Sequence, residues 1–399
     1  MKTNINQIIK DVKDNGDKAV KKYTEVFDNI TLNNFKISKK DIVQAYKEVS
    51  PKTIRAIMQS AKNIKKYAEF QLKNFKDFEY TEKGVTVGQK IIPIERVGAY
   101  VPGGRYPLPS TALMCIIPAK VAGVEKIIVC SPKIRPITIV AADLAGADLI
   151  FNIGGIQAIA AMAYGTETVP MVDKVVGPGN VYVTQAKKEI FGDCGIDLLA
   201  GPSEILIIAD KYANPKFIAA DLLAQAEHDV KTKIIFITDS KELMGQVKDE
   251  LKNQIETIET KEIIKEAFKS KKEILAKNME EMIKLANEIS PEHLSFQVKN
   301  PKKSLKLLKN YGSLFLGGYS AVAFGDYCSG PNHVLPTGKA ARFTGGLSVK
   351  DFVKIQTYQY INEKGAKILG SIALEFASVE GLDAHKKSIQ KRLDNAQGY

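Results

Sequence analysis

The sequence contains little cysteine and no long hydrophobic run. Its 399 residues include four cysteines without C-x-x-C spacing, which is not the pattern of a disulfide framework. No segment approaches the roughly 18 uncharged apolar residues that a membrane helix needs, and the polar opening stretch Met1–Asn6 contains no apolar signal-peptide core. The cytoplasm is therefore the expected compartment, and no membrane partner is expected.

Arginine is also scarce, although the chain is basic. Lys and Arg together number 57 against 45 Asp and Glu, which gives a net charge of +12, yet only six of the basic residues are Arg. The lysines are interspersed with acidic residues, as in 62–83 and 261–284. Because Arg is the preferred fork for phosphate and base edges, this pattern predicts a solvated lysine-rich surface and no nucleic-acid partner.

The composition and the apolar runs predict a globular α/β protein. Hydrophobic residues make up 45% and charged residues 26%, the usual balance of a globular chain. Short β-rich runs are apolar throughout, without alternation, which is typical of strands buried on both faces of a parallel sheet. These runs are Lys126–Cys130, Ile205–Ile208 and Lys233–Ile237.

Hydrophobic periodicity predicts helices at both ends of the chain and charged helices in its second half. The segments concerned are residues 1–80, with a turn at Asn15–Asp17 and a helix over Pro51–Phe75; residues 241–290; and residues 347–399, with a break at Glu380–Leu382. Val85–Ile94 alternates like a strand. Two helix-then-strand units, ending at Lys126–Pro132 and Lys233–Ser240, look alike, which either a duplicated Rossmann-like half or strand composition alone explains.

Three glycine-rich stretches lie in the α/β region: Gly98–Gly104, Ile153–Ala158 and Val176–Asn180. Each is expected where a strand hands over to a helix, so its backbone N–H groups can receive a pyrophosphate. The G-x-G-x-x-G fingerprint is absent, since Tyr182 stands where its third glycine belongs. Tight turns explain any one stretch alone, but three in one region favour a nucleotide such as NAD.

The four histidines all lie close to carboxylates in the sequence. They occur in Gln225–His228, Pro291–His293, Asp326–His333 and Glu380–His385. A single histidine is usually a surface or core residue, whereas a neighbouring carboxylate can orient an imidazole ring and fix its tautomer. Gln225 and His228 stand three residues apart on a predicted helix, which is a weak metal signal because Gln is an uncommon ligand. The pattern predicts a metal and acid/base site in the second half of the chain and leaves its reaction open.

At these residues the chain resembles the histidinol dehydrogenase family over nearly its whole length. The resemblance rests on Gly98–Gly104, Gly154–Thr168, Gly177–Asn180, Gly201–Glu204, Gln225–His228, Ser290–Leu294, Gly325–Thr337 and Glu380–Lys386. It implies two incomplete Rossmann-like domains with parallel sheets, plus small helical N-terminal and C-terminal segments. The implied domains are 1–100 with 205–346, which carries the zinc and acid/base residues; 101–204, which carries the NAD loops; and a tail, 347–399.

The resemblance also implies a role for individual residues. It assigns acid/base catalysis to Glu292 and His293, and one Zn²⁺ per subunit to Gln225, His228, Asp326 and His385. It assigns substrate contacts to Ser203, His333 and Glu380, together with His293 and the four zinc ligands. It assigns NAD contacts to Tyr100, Gln157 and Asn180.

The family resemblance implies a homodimer with shared active sites. The C-terminal tail would cross to the partner, so that Glu380 and His385 complete the other subunit's site. Many members have a leading segment before the first predicted helix, so the resemblance leads us to expect fewer dimer contacts there. Ile156 stands where a small residue is more usual, close to the expected NAD loop.

The implied reaction is the oxidation of L-histidinol to L-histidine through L-histidinal, with two NAD⁺, in the last two steps of histidine biosynthesis. His293 would accept the alcohol proton, and Glu292 would activate water for the second step. A cysteine thiohemiacetal is the competing chemistry, but Cys115 and Cys130 lie in apolar surroundings that make thiols inert; Cys328 lies near the Asp326 motif.

Two other functions are compatible with parts of this pattern. A family relative could use the same zinc and base residues to oxidise another small alcohol, such as a sulfonated diol, although Glu380 disfavours an anionic substrate. A zinc-binding nucleic-acid or scaffolding protein would use the +12 charge and bind nucleic acid in a salt-dependent way, but it leaves the Glu292–His293 pair unexplained.

Overall fold

A computed structural model describes residues 4–32, 34–103 and 106–395. Gly104, the last residue of the first predicted glycine-rich loop, lies outside the described residues, as do residues 396–399 of the predicted tail. Within the described ranges, no helix combines the length and apolar composition needed to cross a bilayer.

The described helices are distributed along the whole chain. They are α1 (Ile5–Asp28), α2 (Lys39–Glu48), α3 (Pro51–Leu72), α4 (Pro109–Ala122), α5 (Pro136–Ala145), α6 (Gly155–Tyr164), α7 (Val181–Ile190), α8 (Pro215–Ala226), α9 (Lys241–Ile255), α10 (Lys261–Phe268), α11 (Met279–Ile289), α12 (Val322–Tyr327), α13 (Glu363–Val379) and α14 (Asp383–Asn395). Short 3₁₀ turns occupy Pro301–Ser304, Ala340–Arg342 and Val349–Phe352.

The described strands form three sheets. They are β1 (Phe78–Glu82), β2 (Val85–Pro93), β3 (Arg96–Tyr100), β4 (Lys126–Cys130), β5 (Leu149–Phe151), β6 (Lys174–Val176), β7 (Gly195–Ile196), β8 (Glu204–Ala209), β9 (Lys233–Thr238), β10 (Lys272–Leu275), β11 (His293–Gln297), β12 (Ser313–Leu316) and β13 (Val353–Ile361).

Two parallel five-stranded sheets form the frame, and they share one strand order. The first sheet has the order β5-β4-β3-β6-β7 and the second the order β10-β9-β8-β11-β12. In each sheet the first strand is central, the second and third lie on one side, and the fourth and fifth on the other, as in the first strands of a Rossmann fold. The predicted α/β fold with two incomplete Rossmann-like parallel sheets is confirmed, and the shared order agrees with a duplicated half.

Continuous apolarity in the central strands reflects burial on both faces. All six residues of β8 are buried, as are the four residues that follow Lys126 in β4. Helices cover both faces of each sheet because parallel strands need long crossover connections. The strands and their covering helices therefore form rigid supports, and the loops at their ends carry the polar residues.

The third sheet is antiparallel and belongs to a separate compact unit. This unit comprises 73–93 and 353–399, and β2 pairs on one edge with β1 and on the other with β13. The prediction of helix throughout 347–399 is therefore wrong for Val353–Ile361, which forms a strand exposed along most of its length. The predicted break at Glu380–Leu382 is confirmed, because it separates α13 from α14.

Three other local predictions differ from the structure. Residues 98–100 of the first glycine-rich stretch lie inside β3, so the loop begins at Val101. Residues 272–275, expected to be helical, form the short edge strand β10. The turn expected at Asn15–Asp17 is a kink within α1, where Gly16 has φ +50° and ψ −133°.

The predicted domain boundary at residue 100 does not follow the sheets. β3 pairs with β4 and β6, and α1 shares a hydrophobic cluster with α6 and α7 that includes Val12, Val20 and Ile159. Tyr46 on α2 also donates a hydrogen bond to Asp143 on α5 at 2.8 Å. Helices α1 and α2 therefore pack against the helices of the first parallel sheet, which the prediction places in the other domain.

The contribution of β11 to the stability of the second sheet can be measured by substituting Phe296. Its side chain is fully buried on the face of β11 opposite His293. We expect Phe296→Ala to lower the free energy of unfolding by about 3–5 kcal/mol, because it opens a cavity beneath the strand. Urea unfolding followed by circular dichroism measures the change. Leu307→Ala, at a side chain 55% exposed, is the matched control with an expected change below about 0.5 kcal/mol; equal shifts for the two variants would contradict the prediction.

Candidate active site

Polar residues gather at one edge of each parallel sheet. Tyr100 ends β3, and the stretches around Gly154 and Gly177 follow β5 and β6, so all three lie at the carboxyl edge of the first sheet. His293 begins β11 and Ser203 precedes β8, which puts them at the amino edge of the second sheet. β11 lies between β8 and β12, with His293 in register with Ile205 and Ser313.

The His293 ring is buried and its tautomer follows from its contacts. Nδ1 lies 3.2 Å from the backbone carbonyl oxygen of Glu204 and 3.4 Å from Oε2 of Glu292. Because a carbonyl only accepts hydrogen bonds, Nδ1 carries the proton and donates it. The other nitrogen, Nε2, is buried without a hydrogen-bond partner among the described residues. In the neutral ring Nε2 is therefore the proton acceptor.

Two carboxylates flank this imidazole. Glu292 is 7% exposed, and its Oε2 also accepts a hydrogen bond from the backbone N–H of Glu204 at 2.8 Å. Oδ1 of Asp326 lies 3.7 Å from Nε2 of His293. Burial alone lowers the pKa of His293, but the charge of Glu292 and the contacts with both carboxylates raise this pKa to about 10. Without a metal ion the two carboxylates therefore keep the His293 ring protonated at neutral pH.

Gln225 and His228 lie where α8 ends. Gln225 is in the last turn of α8 and 1% exposed, and its Oε1 has no partner within the described ranges. His228 lies just past the helix end and is exposed, although its N–H still donates to the Gln225 carbonyl at 3.3 Å. The prediction that both residues lie on one helix is wrong for His228, since α8 stops at Ala226.

Asp326 connects the base to the other predicted ligands. It lies in α12, and although burial raises its pKa, the contact with His293 and the charges of His333 and His228 lower it. Asp326 therefore stays ionised beside His293, and His228 is close enough to act on it electrostatically. Three of the predicted zinc ligands, Gln225, His228 and Asp326, belong to the larger compact unit, which comprises residues 1–72 and 94–352.

His333 is fixed from both sides of its ring. Nδ1 donates to the Asp326 backbone carbonyl at 2.7 Å, and Nε2 lies 3.2 Å from Oγ1 of Thr111. With Nδ1 protonated, the Thr111 hydroxyl donates to Nε2. Thr111 comes from α4, which follows β3 of the first sheet. Sequence reasoning missed Thr111, because nothing in its local pattern indicates a contact 222 residues away.

Helix α3 supports the Asp326 segment from behind, a role that the sequence analysis also missed. Ser60 donates a hydrogen bond to the Tyr327 carbonyl, and Asn63 donates to the Cys328 carbonyl at 2.8 Å. Gly330 has φ +118°, and a Cβ there would lie 3.2 Å from the Asn63 carbonyl oxygen. The close approach of the two backbones explains the glycine.

The Gly201–Glu204 segment before β8 is hydrogen-bonded to the Thr337–Gly338 segment. The Gly201 N–H donates to Oγ1 of Thr337 at 2.5 Å, and the Gly338 N–H donates to Oε1 of Glu204 at 3.2 Å. Ser203 lies between these contacts and is partly exposed. The predicted substrate residue Ser203 is therefore one residue from Glu204, whose backbone carbonyl contacts His293.

The three predicted NAD-contacting residues lie at the carboxyl edge of the first sheet: Tyr100 ends β3, Gln157 lies in the first turn of α6, and Asn180 caps α7. The Tyr100 hydroxyl accepts a hydrogen bond from the Gly155 N–H at 3.1 Å. Gln157 is fully buried, and neither atom of its amide has a partner in the described part of the chain. Asn180 is exposed and caps α7 by accepting from Tyr182 and Val183. Ile156, the departure noted above, is buried in the core cluster of this sheet.

The two remaining predicted site residues belong to the second compact unit. Glu380 ends α13 and His385 lies in the first turn of α14, and both are exposed. In the described ranges no three His, Cys, Asp or Glu side chains form a group able to hold a metal ion. The fourth predicted zinc ligand, His385, is thus carried by a different unit from the other three.

Three of the four thiols are buried, which makes them poor competitors of the histidine as reactive groups. Cys115 and Cys130 are fully buried, and burial raises the pKa of both thiols. Burial also raises the pKa of Cys194, to about 11. A thiol with a raised pKa is a poor nucleophile, which agrees with the expectation that Cys115 and Cys130 are core residues.

Comparison with known proteins places the chain among the oxidoreductases. The family described as histidinol dehydrogenase matches residues 1–393. Histidinol dehydrogenase of Methanocaldococcus jannaschii is 45% identical over 97% of this chain and 91% of its own, and that of Clostridium acetobutylicum is 47% identical over the same shares. A crystal structure of histidinol dehydrogenase from Elizabethkingia anophelis superposes with a TM-score of 0.94 at 38% identity, covering 98% of this chain and 92% of that one. The chain belongs to the histidinol dehydrogenase family.

The Glu292 charge is expected to control the basicity of His293. Glu292→Gln keeps an oxygen that can accept from the Glu204 N–H but removes the negative charge beside the ring. We expect the pKa of His293 in chelator-treated protein to fall by about 1–3, because the imidazolium loses an opposite charge. Selective ¹³C-histidine NMR measures this, since the chain has only four histidines.

The control for this titration is Glu288→Gln, at an exposed carboxylate on α11. This variant is expected to leave the His293 titration unchanged. A His293 pKa that is the same in Glu292→Gln and in the unsubstituted protein would contradict the assignment of Glu292 as the main charge acting on the ring.

Proposed function

We propose that this chain catalyses the NAD-dependent, four-electron oxidation of L-histidinol to L-histidine through L-histidinal, with one Zn²⁺ per subunit and as a homodimer with shared active sites. Membership of the histidinol dehydrogenase family supports the substrate. The observation that carries the proposal is the buried ring of His293, which has Glu292 beside Nδ1 and Asp326 near the unpartnered Nε2. Zinc bound to Asp326 would offset the charge of that carboxylate and lower the pKa of the ring, so that Nε2 could accept a proton. A buried proton acceptor of this kind is what oxidation of an alcohol requires.

The residues near Asp326 fit a zinc ion. Gln225 has a buried oxygen without a protein partner, Asp326 is ionised, and His228 adds an exposed imidazole nitrogen. Nitrogen and oxygen donors of these types suit zinc and several other divalent ions, and His385 would supply the fourth ligand. When bound, the zinc would orient the substrate and polarise its oxygen.

The loops of the first sheet fit NAD. Gln157 offers an unpartnered buried amide, and Gly155 keeps the backbone open beside it, because a Cβ there would lie 2.9 Å from Oε1 of Gln157 at a φ of +65°. Asn180 begins α7, whose N-terminus attracts anions. When bound, NAD⁺ would accept a hydride in each of the two oxidation steps.

His293 moves the protons in both steps. Because its Nδ1 donates to the Glu204 carbonyl, Nε2 accepts the proton of the substrate hydroxyl as the hydride leaves carbon. Glu292, beside the ring, accepts a proton from the water that adds to the aldehyde. As the hydroxide adds, His293 returns its proton to the aldehyde oxygen, which forms the gem-diol and leaves the ring neutral. The ring then accepts a proton from the gem-diol as the second hydride leaves. The water supplies the added oxygen, so the alcohol becomes a carboxylate.

The substrate contacts are argued from charge. Glu380 is an exposed carboxylate suited to a cationic amine, and Ser203 and His333 offer uncharged polar groups. Both ring nitrogens of His333 are engaged by Thr111 and the Asp326 backbone, so a substrate contact at Nε2 would replace the Thr111 hydroxyl. A sulfonated or other anionic alcohol would be repelled by Glu380, so the histidinol-type substrate is favoured over that alternative.

An apolar stripe in the second compact unit supports a homodimer. Along α13 the side chains of Ile368, Ile372, Phe376 and Val379 are 41%, 55%, 66% and 78% exposed. Their spacing puts them on one helix face, and large exposed apolar faces of this kind mark interfaces. The stripe lies on the helix that leads to Glu380 and His385. A second copy of this chain would cover the stripe and receive these two residues.

The first experiment is the yield of NADH from limiting L-histidinol, with purified protein and added Zn²⁺. We expect two NADH per histidinol, since both oxidation steps occur in one site, and loss of activity after chelation with recovery when Zn²⁺ is restored. Absorbance at the NADH band measures the yield. The matched control is a small alcohol with an anionic group, which we expect to give no NADH.

Each other yield has a definite meaning. One NADH per histidinol would contradict the two-step mechanism, because the aldehyde would be leaving before Glu292 acts. If histidinol gave no NADH and the anionic alcohol were oxidised, the proposed substrate would be wrong and the anionic alcohol would take its place.

Mixing two inactive variants tests the shared sites. His293→Ala removes the base, and His385→Ala removes a tail residue proposed to serve the partner. If the tail crosses, a mixed dimer has one intact site, so statistical mixing after dissociation and reassociation is expected to restore about a quarter of the activity. Steady-state assays of each variant and of the mixture measure this. A mixture as inactive as its components would show that His385 serves its own subunit.

A further inference from the structure

A fully buried ion pair lies beneath the Gly177–Asn180 loop. Lys187 on α7 and Asp197, which follows β7, contact each other, and their side chains are only 3% and 1% exposed. A buried pair of charges carries a large desolvation cost and is weak evidence for stability. Stability alone therefore does not explain why this buried pair is present, and its contacts suggest another role.

Both partners of the pair bind the same residue, Gly177. The Gly177 N–H donates to Oδ2 of Asp197 at 2.7 Å, and Nζ of Lys187 donates to the Gly177 carbonyl at 2.9 Å. Oδ1 of Asp197 also accepts from the Leu198 N–H at 2.6 Å. The ion pair thus fixes both backbone polar groups of one residue at the start of the loop.

Gly177 is held in a conformation that other residues rarely adopt. Its φ is +109°, and a Cβ there would lie 2.1 Å from the Tyr100 carbonyl oxygen. The loop therefore runs against the end of β3 with no room for a side chain. A backbone in this region needs support from its surroundings, and the Lys187–Asp197 pair supplies it.

The same helix closes the other end of the loop. Asn180 is the N-cap of α7, and its Oδ1 accepts from the Tyr182 and Val183 N–H groups. Lys187 lies two turns further along this helix and reaches back to Gly177. The loop is held at its first residue by the ion pair and at its last by the cap.

We infer that Lys187 and Asp197 are positioning residues for the cofactor: they hold the Gly177–Asn180 loop in its binding form before NAD arrives. This inference rests on the proposed function, in which Asn180 contacts NAD. A loop that is ordered beforehand loses less conformational entropy on binding, so the pair acts on NAD affinity and not on the proton transfers at His293.

The test compares a single and a double variant. Lys187→Met leaves Asp197 as a buried, unpaired charge and is expected to lower the melting temperature strongly. Lys187→Met combined with Asp197→Asn removes both charges, so its melting temperature is expected to recover most of that loss. The Gly177 carbonyl stays without its lysine in both variants. Differential scanning calorimetry measures the recovery.

NAD affinity is expected not to recover with stability. In the double variant we expect the Kd for NAD⁺, measured by titration calorimetry, to rise about tenfold. This is the size of effect expected when one hydrogen bond, here that from Lys187 to the Gly177 carbonyl, no longer holds the loop. The kcat at saturating NAD⁺ is expected to stay within about twofold of the unsubstituted protein's. An unchanged Kd in the folded double variant would overturn the inference.

A control pair separates this effect from the general loss of an ion pair. Lys271 and Glu273 are in contact at 2.8 Å and are 16% and 18% exposed, on the second sheet. Lys271→Met with Glu273→Gln is expected to leave the Kd for NAD⁺ unchanged. A tenfold rise in the Kd for NAD⁺ in this control variant as well would contradict a specific role of Lys187 and Asp197 in NAD binding.

Hydrogen–deuterium exchange gives a readout that needs neither variant nor activity. We expect the Gly177 amide of the unsubstituted protein to be protected without NAD, since it already donates to Asp197. Protection that arises only after NAD⁺ is added would overturn the inference even if the variants fail to fold. A protected Gly177 amide in a protein that binds no NAD⁺ would instead contradict the proposed function and leave the ion pair as a support of the loop alone.

Discussion

A polar atom inside a protein is stable only when it has a hydrogen-bond partner, and this constraint separates the candidate site from the core around it. In the described part of the chain seven buried side-chain polar atoms have no partner, and four of them belong to Gln157, Gln225 and His293. All three were predicted as site residues. By contrast, the buried Lys187 and Asp197 satisfy each other and Gly177. The unsatisfied atoms are thus concentrated where ligands are proposed to bind.

The fold could be predicted from the sequence wherever burial is continuous. The runs around Ile127, Leu206 and Ile235 are apolar without alternation, and each forms an interior strand, with a neighbour on both sides, of a parallel sheet. Val353–Ile361 could not be predicted in this way, because it is exposed along most of its length and is a strand only through its pairing with β2. That pairing joins residues far apart in the chain, which local periodicity does not record.

The same limit applies to the site. The acidic settings of the histidines indicated acid/base chemistry, and the family resemblance supplied the named residues, of which Glu292, His293 and Asp326 lie together. Thr111 and Asn63 escaped prediction because they contact His333 and the Cys328 carbonyl across 222 and 265 residues. Their own surroundings in sequence are those of ordinary helix residues. Only the packing of α3 and α4 shows their role.

One short segment of chain connects the proposed NAD loop to His293. It begins at Asp197, which holds Gly177, continues through Gly201, whose N–H donates to Thr337, and ends at Glu204. The Glu204 N–H fixes Glu292, and its carbonyl fixes Nδ1 of His293. In the proposed reaction the hydride leaves a carbon atom and the proton leaves the oxygen bonded to it, so the two acceptors must lie close together. The eight consecutive residues 197–204 therefore carry the supports of both the proposed NAD loop and His293, so both proposed acceptors are held from one continuous stretch of backbone.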